Sequence, residues 1–348
     1  MKTGLQKWLA AVLVLLLGVT SSVPALAASG QNNDIGFSVA AHIPKNQINT
    51  KNSFFDLKMT KGQTETLATT IYNETNRDIR VQMAIHTAYT NSNGTIEYVK
   101  PAQTYDPSLA YRISDLTKIE GPTTVTVPAN SSKVVSARVT MPNQRLNGEL
   151  LGGWYFKRVD QPVTGTVSGT TNVQNQYSYV IGLRYASGQL PAPNLKLKNV
   201  QAGLYDYHRG IMVNLRNVAA TMIPNVTTTT TITNANHRAL FNNMVERHVQ
   251  IAPNTSYQYP LLVGNSNLQA GRYHLHMVAK NAQHRWVFDR DFTITAAQAR
   301  RYNHTAVDNR GLSFWQILAL GALGMLLLVL LYVAIRALIR KRRHHAES

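Results

Sequence analysis

Apolar and polar residues alternate with a period of two along most of the chain. In KGQTETLATTIYN, residues 61–73, Leu67, Thr69 and Ile71 fall on one side of an extended chain, and the residues between them fall on the other. This is the period of a half-buried β-strand. Lys61-Gly62 before the run and Asn73 at its end are typical of turns. The pattern therefore predicts a strand between two turns.

Similar strands recur about every ten residues through the first half of the chain. Asn93-Gly94 is a strong hairpin signal, because both residue types tolerate positive φ. In GELLGGWYFKR, 148–158, the paired glycines indicate a bulge or a close backbone approach, and Trp154 and Phe156 face the same way. Roughly seven strands at this spacing predict a β-sandwich.

A polar stretch rich in Thr, Gly, Gln and Asn follows, and we interpret it as a linker. The alternation then resumes and predicts a second sandwich. One of its strands contains a run of threonines within 226–233, where β-branched residues favour a strand over a glycosylated stalk. That strand has few charges, so it could pair with an extended partner at a sheet edge, or it could lie in the middle of its sheet.

The beginning of the chain has the features of an export signal. Lys2 and Lys7 are followed by the apolar run Leu9–Val19, and Ala25-Leu26-Ala27 supplies small residues where a signal peptidase cleaves. We therefore leave residues 1–27 out of the predicted fold.

The other end predicts a membrane span. No charged residue occurs from Gly311 to Ile335, and a helix of that length reaches roughly 37 Å, enough to cross a hydrocarbon core of about 30 Å. Trp315 and Tyr332 lie near its two ends, where aromatic rings favour the interface. Basic residues follow at once and predict a cytoplasmic flank, namely Arg336, Arg340, Lys341, Arg342 and Arg343. With a cleaved signal, this predicts a single-pass type I membrane protein whose domains are extracellular.

Amino-acid composition further limits the class of protein and the partners it can have. The 348 residues include no cysteine, so the exported part must be stabilised by hydrophobic cores rather than disulfides. The net charge of the chain is +18. A basic surface favours polyanionic wall polymers or acidic proteins, although non-specific retention in the wall is an equal explanation. The short basic tail offers no surface for nucleic acid and is explained by anionic head groups.

The sequence contains no recognisable catalytic centre. It lacks an HExxH, a GxSxG and a phosphate-cradling loop, and no cysteine nucleophile exists. His274 and His276 share one strand face, and so do Asp289 and Asp291. Two histidines could bind zinc, but a structural site needs four ligands, and solvated strand faces explain both pairs better. We predict no enzyme, no cofactor and no metal.

Several stretches resemble one known family. FSVAAHIPKNQ, SFFDLKMTKGQTETLATTIYNET, AYTNSNGTIEY and GELLGGWYF resemble the first domain of the WxL-interacting proteins of Gram-positive bacteria. NQYSYVIGL, LKLKNV, APNTSYQYP, AGRYHLHMVAK and WVFDRDFTI resemble that family's second domain. The chain departs from the family pattern at Ile43, where leucine is usual, and at Trp154-Tyr155. We keep Trp154 and Tyr155 as candidate ligand-binding residues, which either pack inside or face a ligand.

The resemblance implies an all-β fold, with two tandem immunoglobulin-like β-sandwiches followed by a single C-terminal transmembrane helix. It also implies that the first domain binds peptidoglycan or wall polymers and that the second binds WxL surface proteins or host matrix proteins. The predicted segments are a signal peptide (1–27), a first sandwich (35–159), a linker (160–174), a second sandwich (175–296), a stalk (297–310), a transmembrane helix (311–335) and a basic tail (336–348).

Our leading hypothesis is a non-catalytic, membrane-anchored adhesin and scaffold on the cell surface. Two alternatives stay open at this stage. A wall-modifying enzyme would need a carboxylate pair or a serine–histidine site assembled across strands. A chaperone-like assembly factor would hold partner strands at an open sheet edge.

Overall fold

The computed structural model describes residues 36–160, 177–309 and 314–344. The predicted signal peptide, and the predicted linker except Asp160, lie outside the described residues. The strands of the first half are β1 (Phe37–His42), β2 (Phe55–Lys58), β3 (Thr64–Asn73), β4 (Ile79–Thr87), β5 (Tyr89–Thr90), β6 (Ile96–Glu97), β7 (Thr117–Glu120), β8 (Thr124–Val127), β9 (Ser131–Thr140), β10 (Gly148–Arg158) and β11 (Ser178–Ser187). The second half contains β12 (Leu195–Tyr205), β13 (His208–Asn217), β14 (Ile223–Asn234), β15 (Ala239–Ile251), β16 (Thr255–Leu262), β17 (Gly271–Lys280) and β18 (Arg285–Ile294). The helices are α1 (Ile113–Leu116), α2 (Ala296–Thr305) and α3 (Phe314–His344), with a 3₁₀ turn at Val307–Asn309.

The first domain is a sandwich of two sheets, with strand orders β1-β3-β9-β7 and β2-β11-β10-β4-β8. Alternate residues of both sheets point into one core, which includes Leu67, Ile71, Val81, Val139 and Phe156. The period-two pattern predicted strands such as β4 and β9 because they bury mainly alternate residues. The all-β sandwich prediction is confirmed.

The first domain includes one strand that the sequence analysis assigned to the second. β11 pairs antiparallel with β10 from Gly148↔Ser187 to Lys157↔Ser178, and parallel with β2 from Leu183↔Phe55 to Ala186↔Lys58. The predicted start of the second sandwich at 175 is therefore wrong by one strand. A period of two shows that β11 is a strand but does not show which sheet it joins.

The second domain is a sandwich with strand orders β12-β13-β16 and β15-β14-β17-β18. The threonine-rich strand β14 pairs with β15 on one side and β17 on the other. It is therefore a central strand, and the possibility that it offers a free edge is wrong. Ile223, Val226 and Ile232 of β14 point into the core, while Thr228 and Thr230 are also buried.

The two domains meet at a polar joint. The side chain of Asp106, from the loop before α1, has no exposed surface and accepts hydrogen bonds of 2.7 Å from Nε and Nη2 of Arg216 on β13. The hydroxyl of Ser256 donates to the same carboxylate. The predicted Asn93-Gly94 hairpin joins β5 to β6, and the Gly94 carbonyl accepts a hydrogen bond of 2.7 Å from the Gln250 amide. The joint therefore includes strands and loops of both domains.

The segment predicted as a stalk is instead packed onto the second domain. Thr295 and Gln298 form a capping box at the start of α2. Ala299 is buried in the second core, and the Asn303 side chain exchanges two hydrogen bonds of 2.9 Å with the backbone of Leu268. The segment is polar overall, so its sequence does not stand out as a packed helix, although Ala299, Tyr302 and Asn303 share one helix face at i, i+3 and i+4.

The last helix, α3, fits the predicted membrane span. Trp315–Arg336 has a mean hydropathy of 2.7, and none of its apolar side chains is buried by the rest of the chain. It is long and apolar enough to cross a membrane. The helix continues through Arg340, Lys341, Arg342 and Arg343. The guanidinium of Arg336 lies 5.9 Å from the ring centre of Tyr332.

Candidate binding surfaces

Trp154, one of the two sequence candidates, is part of the first core. It has no exposed surface, and its ring centre lies 5.2 Å from that of Phe156. A ligand at the surface cannot reach the indole, so Trp154 is a packing residue. The sequence alone could not show whether Trp154 is buried, because β10 has apolar residues on both of its faces.

Tyr155 points to the other face of the sheet, where it is half-buried. Its ring centre lies 5.7 Å from that of His86 on the neighbouring strand β4. Next to it, a Cβ at Gly153 would lie 2.7 Å from Val180 and 3.0 Å from Tyr98 Cβ. The paired glycines therefore serve the close approach that the sequence indicated, and β10 forms a regular ladder at this point. The loop after β6 can pack directly on the sheet.

This loop brings further rings to the same side of the domain. Tyr89 pairs with Glu97 across β5 and β6, and the guanidinium of Arg112 lies 5.0 Å from the ring centre of Tyr105. We define the aromatic surface as the half-buried residues of this face and its loop, namely His86, Tyr89, Glu97, Tyr98, Tyr105 and Tyr155. Apart from Tyr155, sequence reasoning missed these residues, since they come from three separate segments.

Burial tunes the ionisable groups of the aromatic surface. Burial lowers the pKa of His86, although Glu97 partly opposes the shift. Burial also raises the pKa of Tyr89, with further contributions from Glu97 and Tyr105, and raises that of Tyr98 together with Glu149. At neutral pH the imidazole of His86 and the phenols of Tyr89 and Tyr98 are therefore uncharged, and each can both donate and accept hydrogen bonds. Uncharged donors and acceptors beside aromatic faces suit a sugar or a peptide better than an ion.

The second domain brings the predicted histidine and aspartate pairs together. β17 and β18 place His274 opposite Asp291 and His276 opposite Asp289 on the exposed side of the four-stranded sheet. His274 Nδ1 lies 2.7 Å from Asp291 Oδ1, and His276 Nδ1 lies 2.7 Å from Asp289 Oδ1. Sequence analysis recognised a shared face within each pair but not the contact between the pairs, because strand register depends on tertiary structure.

These contacts are hydrogen bonds between imidazole and carboxylate side chains. The hydrogen bond to Asp291 raises the pKa of His274, and the hydrogen bond from His276 lowers the pKa of Asp289. Within the described ranges, no group of three or more His, Asp or Glu side chains is arranged to hold a metal ion.

An apolar row crosses the same sheet beside the His/Asp pairs. The pairing register aligns Val287 of β18, Val278 of β17, Thr229 of β14 and Val245 of β15. Val287 and Val245 are 41% and 40% exposed. We call this row and the His/Asp pairs the outer face of the second domain. An apolar centre with a charged rim is the ordinary anatomy of a protein interface.

Two family models match the chain in the order of its domains. The WxL-interacting protein peptidoglycan-binding domain matches residues 37–158, and the WxL-interacting protein host binding domain matches residues 168–304. The chain belongs to the WxL-interacting protein family. This confirms the resemblance and the expected partners, which are wall polymer for the first domain and a WxL or host protein for the second.

The WxL-interacting family boundary and the sheet boundary differ. The host-binding match begins at 168, but its first described strand, β11, completes the sheet of the peptidoglycan-binding domain. The structural second domain therefore begins at β12.

Comparison with solved structures gives matches of low similarity. The class 5 fimbriae chaperone CfaA is 15% identical, with 73% of this chain and 98% of that chain covered and a TM-score of 0.28. The E. coli chaperone DraB is 14% identical (74% and 97% covered, TM-score 0.28). A chain of the CsuC–CsuE pre-assembly complex of Acinetobacter baumannii is 11% identical (67% and 93% covered, TM-score 0.31). At these TM-scores the likeness carries no functional information. No curated protein matches the sequence.

Proposed function

We propose that this WxL-interacting protein is a non-catalytic, membrane-anchored bridge on the cell surface. The first domain binds peptidoglycan at the aromatic surface, the second binds a WxL or host protein at its outer face, and α3 spans the membrane. The observation that carries the proposal is the match of each domain, in order, to a binding domain of the family. The polar joint connects the two domains that carry these binding surfaces.

The chemistry of the aromatic surface supports a wall ligand. A tyrosine ring offers an apolar face that the C–H face of a sugar can cover, while its hydroxyl remains available for hydrogen bonds. Glu97 and His86 add an acceptor and a neutral imidazole within the same surface. Glycan hydroxyls and peptide amides of peptidoglycan are partners for these groups.

The test for wall binding is co-sedimentation of the full chain with purified peptidoglycan. Tyr155→Ala should weaken binding about 10-fold or more, the usual effect of removing a central aromatic contact. Tyr72→Ala is the matched control, because Tyr72 is 41% exposed on the other sheet of the same domain. Raising the salt should release the part of the binding that depends on exposed charges. Equal binding by the two variants would contradict the aromatic surface as the site.

The test for partner binding uses the outer face. Val245→Lys with Val287→Lys places two charges in the apolar row, so capture of a WxL protein should fall while wall binding stays unchanged. Val134→Lys is the control, because Val134 is an exposed valine of the first domain. Capture that is insensitive to the double variant would exclude the outer face.

A chaperone-like assembly factor remains the second candidate, because β11 has an open edge. β10 pairs along one edge of β11. On the opposite edge, β2 pairs only with Leu183–Ala186, and no described strand pairs with Ser178–Gly182. Val180 in this stretch is 38% exposed. Hydrogen exchange separates the two candidates. If partner binding protects the amides of Ser178–Gly182, an added strand is favoured. If they stay unprotected while the outer-face variant loses capture, the bridge is favoured.

A further inference from the structure

We propose that the end of the second domain that faces away from the first domain is a lipid-contact surface, which rests on anionic head groups of the membrane that α3 spans. We call this end the base. It consists of the β12–β13 turn, the β14–β15 turn, the loop 263–270 and the exposed side of α2. The proposal rests on the membrane anchoring proposed above and adds a position for the domain relative to the bilayer.

The strand directions define the base. β13 ends at Asn217, next to Arg216 of the interdomain joint, so its beginning at His208 lies at the opposite end. Leu262 of β16 pairs with Gly210 at that opposite end. In the other sheet, Gly271 pairs with Ile294, which directly precedes α2. All the elements of the base therefore face away from the first domain.

The chain leaves the domain at the base and is held there. The Val307 amide donates a hydrogen bond of 3.1 Å to the Tyr207 carbonyl in the β12–β13 turn. Asp308 Oδ1 lies 2.5 Å from His208 Nδ1, and its other oxygen accepts from the Arg209 amide at 3.1 Å. The six residue-to-residue steps from Asn309 to Trp315 can span at most about 20 Å. The base must therefore stay close to the membrane interface once α3 is inserted.

The exposure and backbone conformation of Tyr207 favour a role in membrane contact. Its side chain is 67% exposed, and both Asp206 and Tyr207 have positive φ, at 47° and 64°. Glycine or asparagine usually occupies such turn positions, and a bulky aromatic there is strained. A tyrosine at the tip of a hairpin that is tied to a membrane-entering segment is placed where aromatic rings prefer to lie, at the level of the head groups.

Charge at the base favours an anionic membrane surface. Arg300 and Arg301 are exposed on α2, Arg238 is exposed in the β14–β15 turn, and Arg272 is exposed at the start of β17. Asp308 is already paired with His208 and Arg209. Basic side chains within a Debye length of anionic lipid are attracted to it, and the attraction requires the short tether described above.

Site-directed spin labelling of the full chain in lipid nanodiscs tests the proposal directly. The sequence has no cysteine, so Tyr207→Cys carries the only label. With anionic lipid present, collisions of this label with oxygen should exceed those with a water-soluble nickel complex. A label at Asn76→Cys, in an exposed turn of the first domain, should show the reverse. A second set carries Arg300→Gln and Arg301→Gln, which should raise nickel collisions at position 207 at least twofold.

The outcomes separate this proposal from the anchoring on which it depends. Extraction with alkaline carbonate tells whether the chain remains in the bilayer. If it remains and position 207 is as accessible to nickel as position 76, the lipid-contact proposal alone is overturned. If the chain is extracted, the anchoring fails and this proposal fails with it. If position 207 becomes protected only after a partner protein is added, the base is a protein-binding surface and the proposal is wrong.

Discussion

Asp106 and Arg216 form a two-pronged ion pair across the domain boundary, with both hydrogen bonds at 2.7 Å and no solvent access to the carboxylate. Removing the arginine by Arg216→Ala leaves a buried carboxylate without its charged partner. We expect the free energy of unfolding to fall by about 2–4 kcal/mol, because an unpaired buried charge costs more than a lost contact. Urea unfolding of the full chain measures this.

The matched control for Arg216→Ala is Arg138→Ala. Arg138 pairs with Glu120 at 2.6 Å, but the two side chains are 57% and 34% exposed. Such a pair contributes at most about 1 kcal/mol. Equal losses in the two variants would show that the joint is no more than a surface contact.

The same carboxylate predicts the acid behaviour of the joint. Burial alone would raise the pKa of Asp106, but hydrogen bonds from Arg216, Ser256 and Ser108 outweigh burial and hold the pKa well below its usual value. A lowered pKa stabilises the folded state above the unfolded value of about 3.9 and loses that effect as the pH falls through the folded value. The joint should therefore persist from neutral pH to about pH 4 and weaken only below it. Small-angle scattering against pH measures the opening, and an opening at pH 5–6 would contradict the assignment.

The His/Asp pairs predict a titration on the outer face. The hydrogen bond to Asp291 raises the pKa of His274 above its ordinary value, so the pair stabilises the sheet fully below about pH 6.5 and progressively less as the pH rises through the raised pKa. In an NMR titration, Asp291→Asn should lower the pKa of His274. Asp206→Asn, at the β12–β13 turn, should leave it unchanged. A pKa of His274 at or below its ordinary value in the unaltered chain would show that the pair does not form.

The two adjacent aromatics of β10 should respond oppositely in stability and binding. Trp154→Ala removes a fully buried side chain from the first core and should lower the free energy of unfolding by about 3–5 kcal/mol. Tyr155→Ala should change it by about 1 kcal/mol or less and affect wall binding instead. Thermal unfolding and peptidoglycan co-sedimentation of both variants provide the comparison.

Two neighbouring threonines of β14 allow a buried hydroxyl without a partner to be compared with an outward-facing hydroxyl that has one. Thr230 has no exposed surface, and its hydroxyl has no hydrogen-bond partner among the described residues. Thr230→Val should therefore be neutral or stabilise by about 1 kcal/mol. Thr231 faces outward and its hydroxyl accepts from the Asn243 amide at 3.2 Å, so Thr231→Val should destabilise. A loss at Thr230 as large as that at Thr231 would mean that the buried hydroxyl is satisfied.

The sequence predicted the elements of the fold better than their pairing. Alternation of apolar residues placed β3, β4, β9 and β10 correctly. β4 and β9 bury mainly alternate residues, whereas β10 is buried along both faces. Alternation could not place β11 in the first domain or β14 in the centre of its sheet, since both assignments depend on contacts between distant strands.

The candidate site was predictable only in part, for the same reason. His274 and Asp291 are 17 positions apart, and nothing local to either residue indicates that they pair. The aromatic surface is assembled from β4, the β5–β6 hairpin with the loop after it, and β10, so no window of sequence contains it. The sequence did not predict the packing of α2, because only a few of its residues are apolar. Hydrogen bonds of Asn303 in α2, and of Asp308 in the turn after it, attach this segment to the second domain.

The position of β11 also bears on how such proteins can evolve. Recombination at the family boundary would exchange a host-binding half together with an interior strand of the wall-binding sheet. The exchanged β11 would then have to pair with β10 and β2 of a first domain from a different protein. Crossovers that preserve function are therefore expected within residues 188–194, between β11 and β12. A unit that folds intact on the wall-binding side is therefore one strand longer than the family boundary suggests.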